Sequence, residues 1–190
     1  MTSTQSASFA TWDFGDFRLR PLQHEDVGAL ARHGNDRRIW DRVRDHFPRP
    51  YTRMDARAWI AYVKSYRPER HLAIEVDGEA AGCVGCDPQQ DIYRISGELG
   101  YWLGADYWNR GIMSRAVQAV MPHLFEVLKL HRMFATTFAQ NTASARVLQR
   151  NGFRREAVLK ESIIKNGRIQ DQWLFALLRS ELPTMQRPPQ

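Results

Sequence analysis

A mixed α/β domain, with a mostly antiparallel sheet flanked by helices, is what this 190-residue chain predicts. Three observations predict it. The runs His71–Val76 and Ala80–Cys86, and a third from Ile92 or Tyr93 to Leu103, read as a strand meander. Apolar residues from Ile112 to Leu128 recur at helical spacing and mark one buried face. After that helix, strand-like runs alternate with a second helical one. Strands joined first by hairpins and then by helical crossovers give a mixed sheet, not a uniformly parallel one.

Taken in order, Met1 to Trp12 lacks periodicity and reads as a flexible tail. Phe14 to Leu22 alternates apolar and polar residues as a strand does, and Pro21 ends it. Gln23 to Asp26 opens a helix that buries Val27, Leu30 and Ala31 and stops at Gly34-Asn35-Asp36. Trp40 to Tyr51, with two prolines, fits neither a helix nor a strand. Thr52 with Asp55 forms a capping box for a helix whose apolar face is Ala58, Trp59, Tyr62 and Val63. Asp77-Gly78 is a hairpin turn. The long helix runs to about Lys129, with a kink expected at Pro122. His131–Ala139 is a strand. Asn141 caps a short helix that Asn151-Gly152 closes. Phe153 onward and Gln170–Leu178 pair across Asn166-Gly167, and a proline-containing tail follows from residue 181. Residues 13–180 therefore form one domain without internal repeats.

Composition narrows the function. No apolar run approaches the ~20 residues of a membrane span, and the polar N-terminus lacks a signal pattern. A cytoplasmic protein with no membrane partner is the expectation. The net charge of +6 is spread along the chain without a basic block, so an anionic cofactor is favoured over nucleic acid as its partner. The Cys83-x-x-Cys86 pair lies in a strand-like run. Residues three apart in a strand point to opposite faces, their Cα atoms ~10 Å apart, beyond the ~7 Å reach of a disulfide. No second pair completes a metal site, so both read as packing residues and no metal is expected.

One stretch carries chemistry: GELGYWLGADYWNRGIMSRAVQAV, Gly97 to Val120. A strand feeds a helix through Asn109-Arg110-Gly111. The first N–H groups of a helix have no partner inside it, and the macrodipole places about half a positive charge there. Gly111 lets a phosphate approach, and Arg110 and Arg115 add donors. The stretch reads as a diphosphate cradle.

These residues resemble the GNAT acetyltransferase superfamily, whose Gln/Arg-x-x-Gly-x-Gly/Ala segment holds the pyrophosphate of coenzyme A. GYWLGADYWNRGIMSRAV is most similar to the ribosomal-protein N-terminal acetyltransferase (RimJ/RimL-type) branch, with Asn109 for a common Gly and Arg115 for a usual Glu. DHFPRPYTRMDARAWI resembles the same branch, as does NTASARVLQRNGF from Asn141 to Phe153. Nearly the whole chain is covered. The resemblance implies acetyl-CoA as cosubstrate, bound by Trp102, Leu103, Arg110, Gly111, Ile112, Met113, Ser114, Asn141 and Ser144. It implies that Asn141 bonds the pantetheine arm and Ser144 protonates the departing thiolate. Phe47, Tyr51 and Glu98 fall at the acceptor site, with Glu98 the candidate base through water and Asp171 or Glu161 the next in line.

The acceptor implied is a primary amine, either a protein N-terminus or a small molecule. An α-amine at pKa ~7.7–8.0 is substantially neutral near pH 7.4, whereas lysine at ~10.4 is only about 0.1% neutral. A water-relayed carboxylate suits the former. A CoA-binding module without catalysis needs neither Glu98 nor Ser144 and is the alternative. The sequence leaves monomer and homodimer both open.

Overall fold

The computed structural model describes residues 11–182. The expected tails fall mostly outside that range. Trp12, counted with the first tail, instead begins strand β1 (Trp12–Asp13), where it pairs with Leu19 of β2 (Arg18–Pro21). Helices α1 (Val27–Gly34), α2 (Arg37–Trp40) and α3 (Arg53–Lys64) precede the meander β3 (His71–Val76), β4 (Glu79–Pro88) and β5 (Ser96–Leu103). Then come α4 (Ile112–Val127), β6 (Arg132–Phe138), α5 (Thr142–Arg150), β7 (Arg154–Lys165) and β8 (Arg168–Leu178). The eight described strands form one sheet in the order β1-β2-β3-β4-β5-β6-β8-β7. Only β5 and β6 run parallel; every other pair is antiparallel. The mixed sheet was legible in part because two of its hairpins carry their turn chemistry. Asp77-Gly78 and Asn166-Gly167 adopt positive φ at both positions, the geometry that matches strand twist.

A core lies on each face. On one, α4 buries Ile112, Ala116, Val120, Leu124 and Phe125 against Val84, Cys86, Leu99 and Leu103. On the other, α1 and α3 bury Leu30, Ala56, Ile60 and Val63 against Ala73, Ala80 and Cys83. The β4 bulge at the Ile74/Glu75 register shift puts Ala80 on the same face as Cys83. Cys83 and Cys86 are free, buried, and in opposite cores. Burial pushes the Cys83 thiol up to about 12 and raises that of Cys86, so neither offers a thiolate at neutral pH. Cys83→Ala and Cys86→Ala are each expected to keep wild-type turnover while lowering the melting temperature. Loss of turnover in a folded variant, or acetyl-cysteine seen by mass spectrometry, would contradict this.

Three local expectations are corrected. The α3 face in the core is Ala56, Ile60 and Val63, not Ala58 and Tyr62, which are exposed to a cleft. Both sides of that helix are apolar because one meets the core and the other a cavity. Asp36, placed as part of a stop signal, caps α2 by accepting from the Arg38 N–H at 2.7 Å. Ile92 and Tyr93 lie in a 3₁₀ turn and are exposed, and β5 starts later, at Ser96. The capping box at Thr52 and Asp55 is present as read, as are the Asn141 cap and the left-handed Gly152. Helix α4 continues through Pro122 to Val127.

Candidate active site

The site begins where two strands part. β5 pairs with β6 only over Ser96–Glu98 against Arg132–Phe134. Beyond that, β5 stays with β4 and β6 stays with β8, so a wedge opens in the middle of the sheet. The Gln89 N–H donates to the Ser96 carbonyl at 2.9 Å and the Gly104 N–H to the Ala81 carbonyl at 2.7 Å. Hydrogen-bonded pairs alternate in an antiparallel ladder, so the even-numbered residues of β5 bond β4. Leu99, Tyr101 and Leu103 therefore turn their main-chain groups into the wedge. The Leu103 carbonyl accepts from the Trp108 indole at 2.8 Å. The Trp102 main chain faces β4, and its ring lines the cleft beside Phe47 and Tyr51.

Below the wedge lies the start of α4. Asn109 (φ 63) and Gly111 (φ 72) are left-handed and bring the chain round to the helix. A Cβ built on Gly111 meets nothing within 4 Å. The helix has no side-chain cap, which leaves the N–H groups of Ile112, Met113 and Ser114 for a ligand. Asn151 donates to the Ser114 carbonyl at 3.1 Å and to the Val147 carbonyl at 2.8 Å, fixing α5 beside this turn. Gly111, Ile112, Met113, Ser114, Asn141 and Ser144 all line one cleft of roughly 1070 Å³. Arg110 does not line it; its guanidinium lies over Tyr107, 5.2 Å from the ring centre. Arg115 turns to Asp16, with contacts of 2.5 and 2.9 Å. The cations that do line the cleft at α5 are Arg146 and Arg150. They stand one helical turn apart, a spacing visible in the sequence once Asn141 is read as the cap.

The middle of the cleft carries hydroxyl and carboxylate groups. Asn141 accepts from the Ser144 N–H at 3.2 Å. The Ser144 hydroxyl lies 2.9 Å from that of Tyr101, whose pKa burial raises. Glu98 comes from the other side of β5. Arg44 grips both of its oxygens, one contact at 3.2 Å, and Thr136 donates to it at 3.3 Å. Asp87 sits directly across the ladder from Glu98. Burial pushes the Asp87 carboxyl up, but its hydrogen bond with His71 and the charge of Arg70 outweigh that and hold it below the usual range. Gly100, two residues beyond Glu98 on the same face of β5 and paired with Gly85, leaves the floor open, with nothing within 4 Å of a built Cβ. Phe47 and Tyr51 stack at 4.5 Å and wall the same end. Glu161 and Asp171 do not line the cleft; Asp171 accepts from the Glu161 N–H on the β7–β8 hairpin.

Residues 16–154 match the model of the Acetyltransferase (GNAT) domain. This chain belongs to the GNAT acetyltransferase family. The uncharacterized N-acetyltransferase p20 of Bacillus licheniformis is 36% identical over 169 residues, covering 86% of this chain and 93% of that relative. Spermidine N(1)-acetyltransferase of Escherichia coli K12 is 25% identical over 160 residues, 81% of each chain. Mycobacterium smegmatis RimJ in complex with CoA-disulfide superimposes with a TM-score of 0.74 at 27% identity, covering 88% of this chain and 84% of that one. Its likeness agrees with the RimJ/RimL-type resemblance of the motifs. As a GNAT acetyltransferase the protein uses an acyl-CoA and an amine acceptor, and its residues fit that cosubstrate. An uncapped helix start suits a diphosphate, an unpaired strand edge suits an amide-bearing arm, and cations stand on α5. No helix among the described residues is long and apolar enough to cross a membrane.

Sequence reasoning missed Arg44, Tyr101, Arg146 and Arg150. Arg44 lies in an irregular segment with no periodicity to place it. Tyr101 was within reach: three residues beyond Glu98 on a strand, it must face the other way, toward the helix that carries Ser144.

Proposed function

We propose that this protein transfers an acetyl group from acetyl-CoA to a primary amine, either a peptide N-terminus or a small-molecule amine, within one ternary complex. The observation that supports this most is the wedge between β5 and β6, with Ser144 on one wall and Glu98 on the other. When bound, acetyl-CoA supplies an activated thioester. The N–H groups of Ile112, Met113 and Ser114 hold its diphosphate, with Gly111 giving room and Arg110 adding charge from outside the cleft. The β5 main chain at Leu103 and Tyr101, with Asn141, lines up the arm, and the Trp102 ring borders it. Phe47 and Tyr51 seat the amine. Glu98 takes the amine proton through water: Arg44 and Thr136 fill both acceptor sites on Oε1 and one on Oε2, which leaves one site on Oε2 for that water. Ser144 holds a proton on Oγ for the sulfur that leaves.

Tyr101 sets the direction of that proton. If the phenol donates to Ser144 Oγ, the serine hydrogen is free to point into the cleft. A phenol, with an ordinary pKa of ~10, is protonated at neutral pH, and burial raises that of Tyr101 further. Tyr101→Phe is expected to lower kcat roughly three- to tenfold, the worth of one hydrogen bond, and to leave the KM for acetyl-CoA unchanged. The double variant with Ser144→Ala should be no slower than Ser144→Ala alone. Additive losses would assign Tyr101 to packing.

The reading is tested by incubating acetyl-CoA with a panel of peptides and small amines and measuring product masses. A gain of one acetyl group with CoA release is expected. CoA release without an acetylated amine would contradict it.

A further inference from the structure

A second cavity, of about 340 Å³, opens off the cleft at Arg44, Thr136 and Gln172. Its remaining wall is mostly apolar, from Phe138 on β6 and Ile163 and Ile164 on β7. The β7–β8 hairpin is latched over it. Asn166 donates to Asp41 at 2.9 Å. The Lys165 ammonium is buried, 2.6 Å from Asp45 and 3.6 Å from the centre of the Trp40 ring. An amine lying at Glu98 would project whatever is attached to it past Thr136 into this space.

The charges that line the side cavity are already matched. Among the described residues its charged lining groups are Arg44, Asp45 and Lys165. Asp45 is paired with Lys165 and Arg44 with Glu98. A second ammonium lodged there would find no open carboxylate, and a carboxylate no open cation; a charge held there without a partner is costly. We infer that this side cavity receives the group next to the acceptor's amine, and that the group is uncharged and mainly apolar. The acceptor class is then a monocationic amine with an apolar substituent, such as a peptide whose first residue is apolar, and not a polyamine. This rests on the acetyl-transfer reading above.

A competition assay tests it. Phe-Gly-Gly, Leu-Gly-Gly, Gly-Gly-Gly, Glu-Gly-Gly, Lys-Gly-Gly and spermidine are mixed at equal concentration with limiting acetyl-CoA, and products are counted by mass. The Phe and Leu peptides should lead every other member by about tenfold or more, the usual discrimination of an apolar pocket. A lead by spermidine or a charged peptide, or equal use of Gly-Gly-Gly and Phe-Gly-Gly, overturns the inference while leaving acetyl transfer intact. No product from any member, with acetyl-CoA bound, overturns acetyl transfer itself and this inference with it. Ile163→Trp fills the cavity and should bring the Phe-to-Gly ratio to within about threefold, its fold checked by thermal melting. Gln172→Glu adds an unmatched carboxylate and should raise the spermidine share roughly tenfold. Unchanged ratios in both folded variants overturn the assignment of the cavity.

Discussion

Glu98→Gln is expected to lower turnover by about 10²–10⁴ at neutral pH, the usual share of general acid–base catalysis. Glutamine keeps the size of the side chain and one acceptor for Arg44, so the cleft keeps its shape while the group loses the ability to take a proton. The loss should shrink as pH rises, because the amine then arrives neutral and needs no base. Acetyl-CoA affinity should stay unchanged, since Glu98 faces the Trp102 and Phe47 side of β5, away from Tyr101 and Ser144. A profile of kcat/KM against pH for both enzymes decides it. Wild-type turnover by Glu98→Gln at every pH would make Glu98 a structural partner of Arg44. The base would then be sought at Asp87, directly across the ladder, and not at Glu161 or Asp171, which lie away from the cleft.

Gly111→Asp should weaken acetyl-CoA binding by about 10²–10³-fold. Two unit charges ~4–5 Å apart repel by roughly 3–4 kcal/mol at an effective dielectric near 20, and here the new carboxylate meets the diphosphate. Aspartate is among the few residues that tolerate the left-handed conformation Gly111 adopts, and no neighbour lies within 4 Å of its Cβ. The variant should fold, which separates lost affinity from lost structure. Gly111→Asn, nearly the same shape without the charge, should lose far less. Equal losses in the two variants would point to backbone geometry instead of charge at the cradle.

The parts of the site that the sequence disclosed are those set by local rules. Asn109 and Gly111 at a strand-to-helix turn, Asn141 with Ser144 as a helix cap, and the paired hairpin turns each have a short-range cause, and each stands where it was read. Cys83 and Cys86 fell on opposite faces because strand alternation has only two options. What local rules could not reach came from long-range contacts. Arg44 meets Glu98 across 54 residues of chain, and Lys165 meets Asp45 across 120. The face of α3 was misread because Ala58 and Tyr62 are apolar for the sake of a cavity and not the core. Arg115 was assigned to the cradle from its place in the helix, but Asp16, 99 residues earlier, draws it away.

The central claim is that the turn from β5 into α4 holds acetyl-CoA. Calorimetric titration of the wild-type chain with acetyl-CoA tests it most directly. Saturable 1:1 binding is expected, together with a rise in melting temperature that grows with ligand concentration, as binding to the native state requires. No heat and no melting shift at millimolar acetyl-CoA would contradict it.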